Sequence, residues 1–484
     1  MAALYNRTGP AAFAYDGAMG SKGGVYRRIA VTLLAPVAAM LMARIPLPGV
    51  NTLVLEKIAG GGEKPYDPAE FGIFCVGIRP FISAAILVEL LALPIRRWRA
   101  LRLGGYEERD QLWTWVVVIA LMFVTVQSFF IVRWLRHASE LFVVYGNVIA
   151  GDPNDPFWIA AQMVSLVAGT FLLYWLARVI DRYGAGNGIV VMMIAFMVPS
   201  VAHELRHFVR WSPEPILLPL ALAAVAVAAV TRLASGRPLK PGAPTGAERL
   251  PTPASGLAPV VDAAMLMALP AQIAVLVPFV MPEALTQGTT MNRAVEVAVV
   301  GALCLLMTWL FNRPRLLAQT WKRGGAPDPE GGGVDHRVRA AFARSLAMAL
   351  AICWLMTGIE WTCADAGLAV TVGGLTMISC VVMDVVDELQ FRRRHGPLVP
   401  AWPVHRLFVL PVMLKALEEA GIPAFARARR FRTIQNFFAP YAPVDVLVPA
   451  DQLAPAEMIL RARSGMDDQG TRQPMRDVAT TTSS

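Results

Sequence analysis

Charge is the scarcest ingredient of this chain. Asp, Glu, Lys and Arg make up 16% of its 484 residues, where soluble domains carry about 25%. With 56% hydrophobic residues and a mean hydropathy of +0.50, that deficit excludes an ordinary soluble globular protein. Cysteine is sparse too. Cys75, Cys304, Cys353, Cys363 and Cys380 are scattered without a CxxC pair, so neither a disulfide framework nor a zinc site is indicated. The first 28 residues lack a signal peptide's order of basic region, short apolar core and small-residue cleavage site. The first apolar block is therefore expected to stay as a membrane anchor.

Long apolar sequence is abundant. About ten blocks of about 18–24 residues have the length that spans roughly 30 Å of hydrocarbon as helix. They lie near 29–47, 71–94, 112–133, 157–179, 189–204, 214–231, 258–281, 294–311, 340–360 and 367–388. The expected fold class is an all-α polytopic membrane protein. Lys and Arg in the connections set its orientation. With the N-terminus inside, about 21 basic residues fall on the cytoplasmic side against about seven opposite. Both termini are expected in the cytoplasm, and the +9 net charge reflects this bias rather than nucleic-acid binding.

Composition divides the chain into a small, polar, Gly-rich N-terminal arm (1–27), a membrane body (28–390), a small α+β cytoplasmic module (402–463) and a disordered tail (464–484). Within the module, 405–410 reads as a short strand and 412–420 as a helix stopped at Gly421. Residues 422–426 and 444–448 read as strands. Pro449-Ala450-Asp451 offers an N-cap for a last helix to about Arg463. This β-α-β…β-α order, with GIPAF and VDVLVPADQLAPAEMIL, is similar to a small family of prokaryotic signal-transducing proteins.

The second apolar block holds Arg79, Pro80 and Glu89. Ionisable side chains at membrane depth are expensive and usually face a protein interior or a water-filled path. On a helix, Ile78 and Ile82 share one face, one turn apart, with Arg79 on another; Arg79 and Glu89 are about three turns apart, too far for a direct pair. Further stretches stand out along the chain. Tyr26-Arg27-Arg28 leads into the first block, which ends in Arg44-Ile45-Pro46-Leu47-Pro48-Gly49-Val50-Asn51. Gly184-Ala185-Gly186-Asn187-Gly188-Ile189 precedes the fifth block; no strand precedes it, so a tight turn needing positive φ is favoured over a nucleotide loop. Phe311-Asn312-Arg313-Pro314-Arg315 follows the eighth, and Gly373-Gly374 through Val382-Met383-Asp384 to Gln390 makes the tenth.

With Gly77-Ile78-Arg79-Pro80-Phe81-Ile82-Ser83-Ala84, these stretches in this order resemble the SecY family, the channel subunit of the general protein-secretion translocon. The resemblance implies two pseudo-symmetric halves of five helices around an hourglass pore in the bacterial cytoplasmic membrane. It implies an apolar pore ring including Ile78, Ile82, Ile189 and Met193, which would exclude water and ions by dewetting. It also implies a plug over about 52–67, and a lateral gate between the second and seventh spans with Arg79 and Glu89 as polar residues nearby. Implied partners are SecE-like and SecG-like small membrane subunits and polypeptides bearing signal sequences, with no cofactor and no covalent chemistry. Cytoplasmic docking would fall on Arg313, Arg315, Lys322 and Arg323. The loops at 236–255 and 324–333 are Pro/Gly-rich and lack the family's basic hairpin and IRPG-type arginine, so docking of a ribosome or the SecA motor stays open.

Three other readings compete. His203-Glu204-Leu205-Arg206-His207 matches HExxH, which on a helix places two imidazoles on one face for zinc with a glutamate as general base; no convincing third ligand follows. A small-molecule transporter would need a midplane cluster, for which Arg79, Glu89, Asp262 and Asp384 are candidates. A membrane-anchored regulator, with a vestigial channel and a sensing tail, is the third.

Overall fold

The computed structural model describes residues 22–54, 72–141 (apart from 93, 96, 99–100 and 102–105), 155–209, 217–234, 290–311, 333–365, 372–434 (apart from 405, 406 and 408) and 443–464. Nine helices of the body lie within them: α1 Lys22–Met42, α2 Arg79–Leu91, α3 Tyr106–Leu141, α4 Pro156–Tyr183, α5 Gly188–Val209, α6 Leu217–Ala234, α7 Thr290–Phe311, α8 Gly333–Asp365 and α9 Val372–His395. The seventh expected span, the 236–255 loop and most of the expected plug lie outside the described residues. Segments within α1, α3, α4 and α8 are each long and apolar enough to cross a membrane. The chain is thus a multi-pass helical membrane protein.

Helix ends follow local chemistry. Asp155 caps α4 by accepting from the Phe157 amide (2.9 Å), with Pro156 at the first helical position where no donor is needed. Asn187 accepts from Val190 N (3.3 Å) and starts α5 in the same way. The second block departs from the expected continuous span over 71–94. Among its described residues only Arg79–Leu91 is helical, 13 residues or roughly 20 Å. Gly77, at φ +67°, turns the chain just before it. Pro80, with no N–H to give, forfeits no helical hydrogen bond in a first turn.

Packing partners fall into two sets. In the first, α2 lies on α3, α3 on α4, and α4 on α1 and α5; in the second, α6 lies on α8 and α9, and α7 on α8. Helix α9 joins them, touching α5 and α1 as well. One apolar cluster runs through both sets, from Ala39, Phe81 and Leu173 to Val300, Cys353 and Cys380.

After α9 the chain forms β1 Leu398–Val404, α10 Leu410–Glu419, β2 Phe425–Arg427, α11 Arg429–Ile434, β3 Val444–Pro449, a short 3-10 turn and α12 Leu453–Ser464. The three strands make one antiparallel sheet in the order β1-β3-β2. Helices α10 and α12 pack on each other and α12 on β1 and β3, around an apolar core that includes Val446, Val448, Leu417 and Leu460. Gly421, at φ +72°, follows α10, as its position predicted. The first strand does not. It occupies 398–404, not 405–410, and begins ahead of the expected module boundary at 402. Pro400 and Pro403 argue against a strand, yet β1 is an edge strand where a missing N–H is tolerated, with a bulge between Pro400 and Trp402.

Candidate functional site

Two features of the body carry candidate functional residues. The first is the apolar turn at the start of α2. The Ile78 carbonyl accepts from Phe81 N (3.1 Å) and Ile82 N (3.4 Å), so Ile78 initiates the helix and sits one turn from Ile82. Ile78 is buried and Ile82 half-buried. Ile189 is buried and Met193 half-buried one turn apart in α5, and all four belong to or pack against the same apolar cluster. Arg79, between Ile78 and Ile82 in sequence, is exposed. Phe81 is fully buried and stacks on Tyr174 of α4, with ring centroids 4.4 Å apart at 11°. The Tyr174 hydroxyl in turn accepts from the Trp113 indole of α3 at 2.8 Å.

Glu89 is partly buried on the α3 side of α2. It shares a small cleft with Arg109, Trp113 and Leu112 of α3. The sequence had set Arg79 too far from this carboxylate for a direct pair; the structure puts a cation of α3 beside it.

The second feature is a charge knot where α9 leaves the body. The turn 184–188 has Gly186 at φ +83°, and a Cβ on Gly188 would stand 1.8 Å from the Ala177 carbonyl oxygen, so glycine is required at both. Arg28 of α1 donates to Gly184 O (2.9 Å), Ala185 N donates to the Thr32 hydroxyl (2.8 Å), and Gly188 N donates to Asp181 (2.8 Å). Gly186 N donates to Glu388 of α9 (2.9 Å). Glu388 has no exposed surface. It also accepts from Arg392 Nε (2.9 Å) and from Arg427 of β2 through Nε (3.0 Å) and Nη2 (2.8 Å). One turn earlier, Asp384 accepts from the Arg430 and Phe431 amides at the start of α11 (3.1 Å each) and from Arg430 Nη1 (3.1 Å). Asp387 holds the other arm of Arg430. Burial pulls the Arg427 guanidinium's pKa down, but the Glu388 carboxylate outweighs it and leaves Arg427 above its ordinary value. Arg430 is likewise lowered by burial and raised more by Asp387 and Asp384.

Sequence reading did not find this knot, and it had offered Asp384 as a transport-site candidate. The signal was present in one strand of the argument only: Asp384, Asp387 and Glu388 stand at i, i+3 and i+4, one helix face. Apart from Arg392, one turn on, their arginine partners lie about forty residues on, with separations of 39 and 46 positions. Arg313, Arg315, Lys322, Arg323 and Asp262 lie outside the described residues. His203, Glu204 and His207 fall in α5, but their side chains lie outside those described. Among the described residues no group of three His, Cys, Asp or Glu side chains could hold a metal ion.

Apolar helices, a buried apolar turn and a charge knot at one end define a class: a polytopic membrane protein with a helical body joined to a small folded extension. The particular family follows from comparison. The SecY profile matches residues 72–329, more than half of the chain, and the chain belongs to the SecY family. It is similar to protein translocase subunit SecY of Escherichia coli K12 (29% identical over 233 residues, 45% of this chain and 50% of that protein). The same subunit of Buchnera aphidicola subsp. Acyrthosiphon kondoi is 30% identical over 235 residues, covering 45% of this chain and 63% of that one. That of Aquifex aeolicus is 31% identical over 189 residues, 37% and 43%. The chain spans about half the length of the curated relatives it matches. Among solved structures it is similar to a SecY protein whose plug domain stabilises the closed state of the translocation channel (14% identical, 75% of this chain and 91% of that one, TM-score 0.45) and to a protein-conducting channel (13%, 75% and 91%, TM-score 0.43).

Proposed function

We propose that this chain is the channel subunit of a protein-conducting translocon, passing or inserting polypeptides at a bacterial cytoplasmic membrane without covalent chemistry. Family membership over 72–329 carries the reading, because that stretch contains both apolar turns, Ile78–Ile82 and Ile189–Met193. In this reading ten spans form two halves of five, both termini are cytoplasmic, and the extension after α9 is a cytoplasmic module. Ile78, Ile82, Ile189 and Met193 contribute to an apolar ring that closes by excluding water and yields around an extended chain. Support comes from the two isoleucines being one turn apart and from all four residues sharing one apolar cluster. Glu89, on the helix assigned to the lateral gate, and Arg109, on α3, serve as a polar pair near the ring. SecE-like and SecG-like subunits are its proposed membrane partners, with signal-sequence-bearing polypeptides as clients. A ribosome or a SecA-type motor would supply direction.

Site-directed crosslinking tests this. A photoreactive residue at 78 or 82 should capture an arrested secretory chain in native membranes, and one at exposed Trp115 of α3 should not. Equal capture at all three positions, or none at 78 and 82 with a chain demonstrably arrested at the membrane, would sink the channel reading.

A further inference from the structure

Helix α11 has six residues and belongs to the body more than to the sheet beside it. Phe431 and Ile434, both without exposed surface, lie in the apolar cluster of the membrane helices, not in that of the sheet. The helix rests against α6 and α9. Its first amides are held by Asp384, and its Arg430 spans Asp384 and Asp387. Just upstream, Arg427 meets Glu388, which also holds the Gly186 amide of the α4–α5 turn. Arg28 and Thr32 of α1 hold that same turn. The first helix set (α1, the α4–α5 turn) and the second (α6, α9) therefore converge on residues 427–434. Between the two anchors sits Ala428 at φ +58°, a left-handed conformation that a residue with a Cβ adopts only when its surroundings hold it there.

We propose that Arg427–Ile434 is a latch. Docked, it pins the α4–α5 turn to α9 and keeps the two helix sets together at this end of the body. Undocked, it frees Glu388 of one of its two guanidinium partners, withdraws the Phe431–Ile434 wedge and lets Ala428 relax. The seam between α5 and α9 then loosens. The sheet keeps its own apolar core in both states, so it is the handle through which a partner bound to the extension would act. The consequence for transport rests on the channel reading above; the latch itself does not.

Hydrogen exchange on the full-length protein in lipid nanodiscs tests it. In a Phe431→Ala/Ile434→Ala variant, peptides covering the 184–188 turn should exchange at least about tenfold faster together with α11, while β1 and β3 keep their wild-type rates. A turn that stays protected while α11 alone becomes labile would overturn the latch. Should that variant lose protection in the sheet as well, Asp387→Ala, which removes one partly exposed carboxylate from Arg430, is judged by the same criterion. A second arm bridges Asp387→Cys to Arg430→Cys with a reducible bis-thiosulfonate. Polypeptide transport into proteoliposomes should fall about tenfold and return on reduction; transport unaffected by the bridge would overturn the latch as a gate. A seam that loosens as expected in a protein that transports nothing supports the latch and counts against the channel reading.

Discussion

Glu388 is a carboxylate with no exposed surface and four donor groups aimed at it, from Gly186, Arg392 and both sides of the Arg427 fork. A buried charge is tolerable only when fully partnered, and removing one partner strands the rest. Glu388→Ala leaves two guanidinium groups buried without their shared anion and should cost about 3–5 kcal/mol. Thermal unfolding in detergent, read by the loss of helical circular dichroism, measures this; a midpoint equal to wild type would remove the knot from the account of stability. Gly188→Ala should cost about 1–3 kcal/mol or more by overpacking, since its Cβ would overlap the Ala177 carbonyl. The glycine-rich turn was legible in the sequence, and so was the acidic face of α9. Most of what they bind was not: apart from Glu388–Arg392 and Gly188–Asp181, the contacts join positions far apart in the chain, and periodicity carries no information about tertiary pairing.

At the scale of elements, hydropathy located the body helices well, because apolar length is what a bilayer selects. It placed the start of α2 poorly. The block 71–94 is continuously apolar except at Arg79 and Glu89, but backbone chemistry at Gly77 and Pro80 decides where the helix begins. The consequence is mechanical. A helix of 13 residues is positioned by its neighbours, and Phe81 is the contact that does it, stacked on Tyr174 and edge-on to Phe171 at 5.3 Å. Phe81→Ala should cost about 3–5 kcal/mol, mostly from the cavity it leaves. Tyr174→Phe keeps the stacking and loses the Trp113 hydrogen bond, about 1 kcal/mol. If the two variants proved equally destabilised in the same melt, aromatic stacking would not be what seats α2.

For the whole molecule, the question is which ends of the helices share a side of the membrane. Helix α9 runs from Val372 to His395, 24 residues or roughly 36 Å, longer than the roughly 30 Å of hydrocarbon. Beyond its C-terminal end sits the sheet, with Lys415 exposed on α10. Before its N-terminal end, α7 and α8 are clamped by Arg293, which pairs with Asp365 and lies over the Trp361 ring, while Glu296 accepts from the Trp361 indole at 2.8 Å. In the proposed orientation, which follows the basic bias of the connections, the sheet is cytoplasmic and this clamp lies outside. An Asp365→Cys variant should therefore react with a membrane-impermeant maleimide applied from outside. A Lys415→Cys variant should react only after the cytoplasmic side is opened. Background is low, since four of the five native cysteines are buried. Labelling of both positions from outside would mean that α9 does not cross, and with it would go the cytoplasmic placement of both the sheet and the latch.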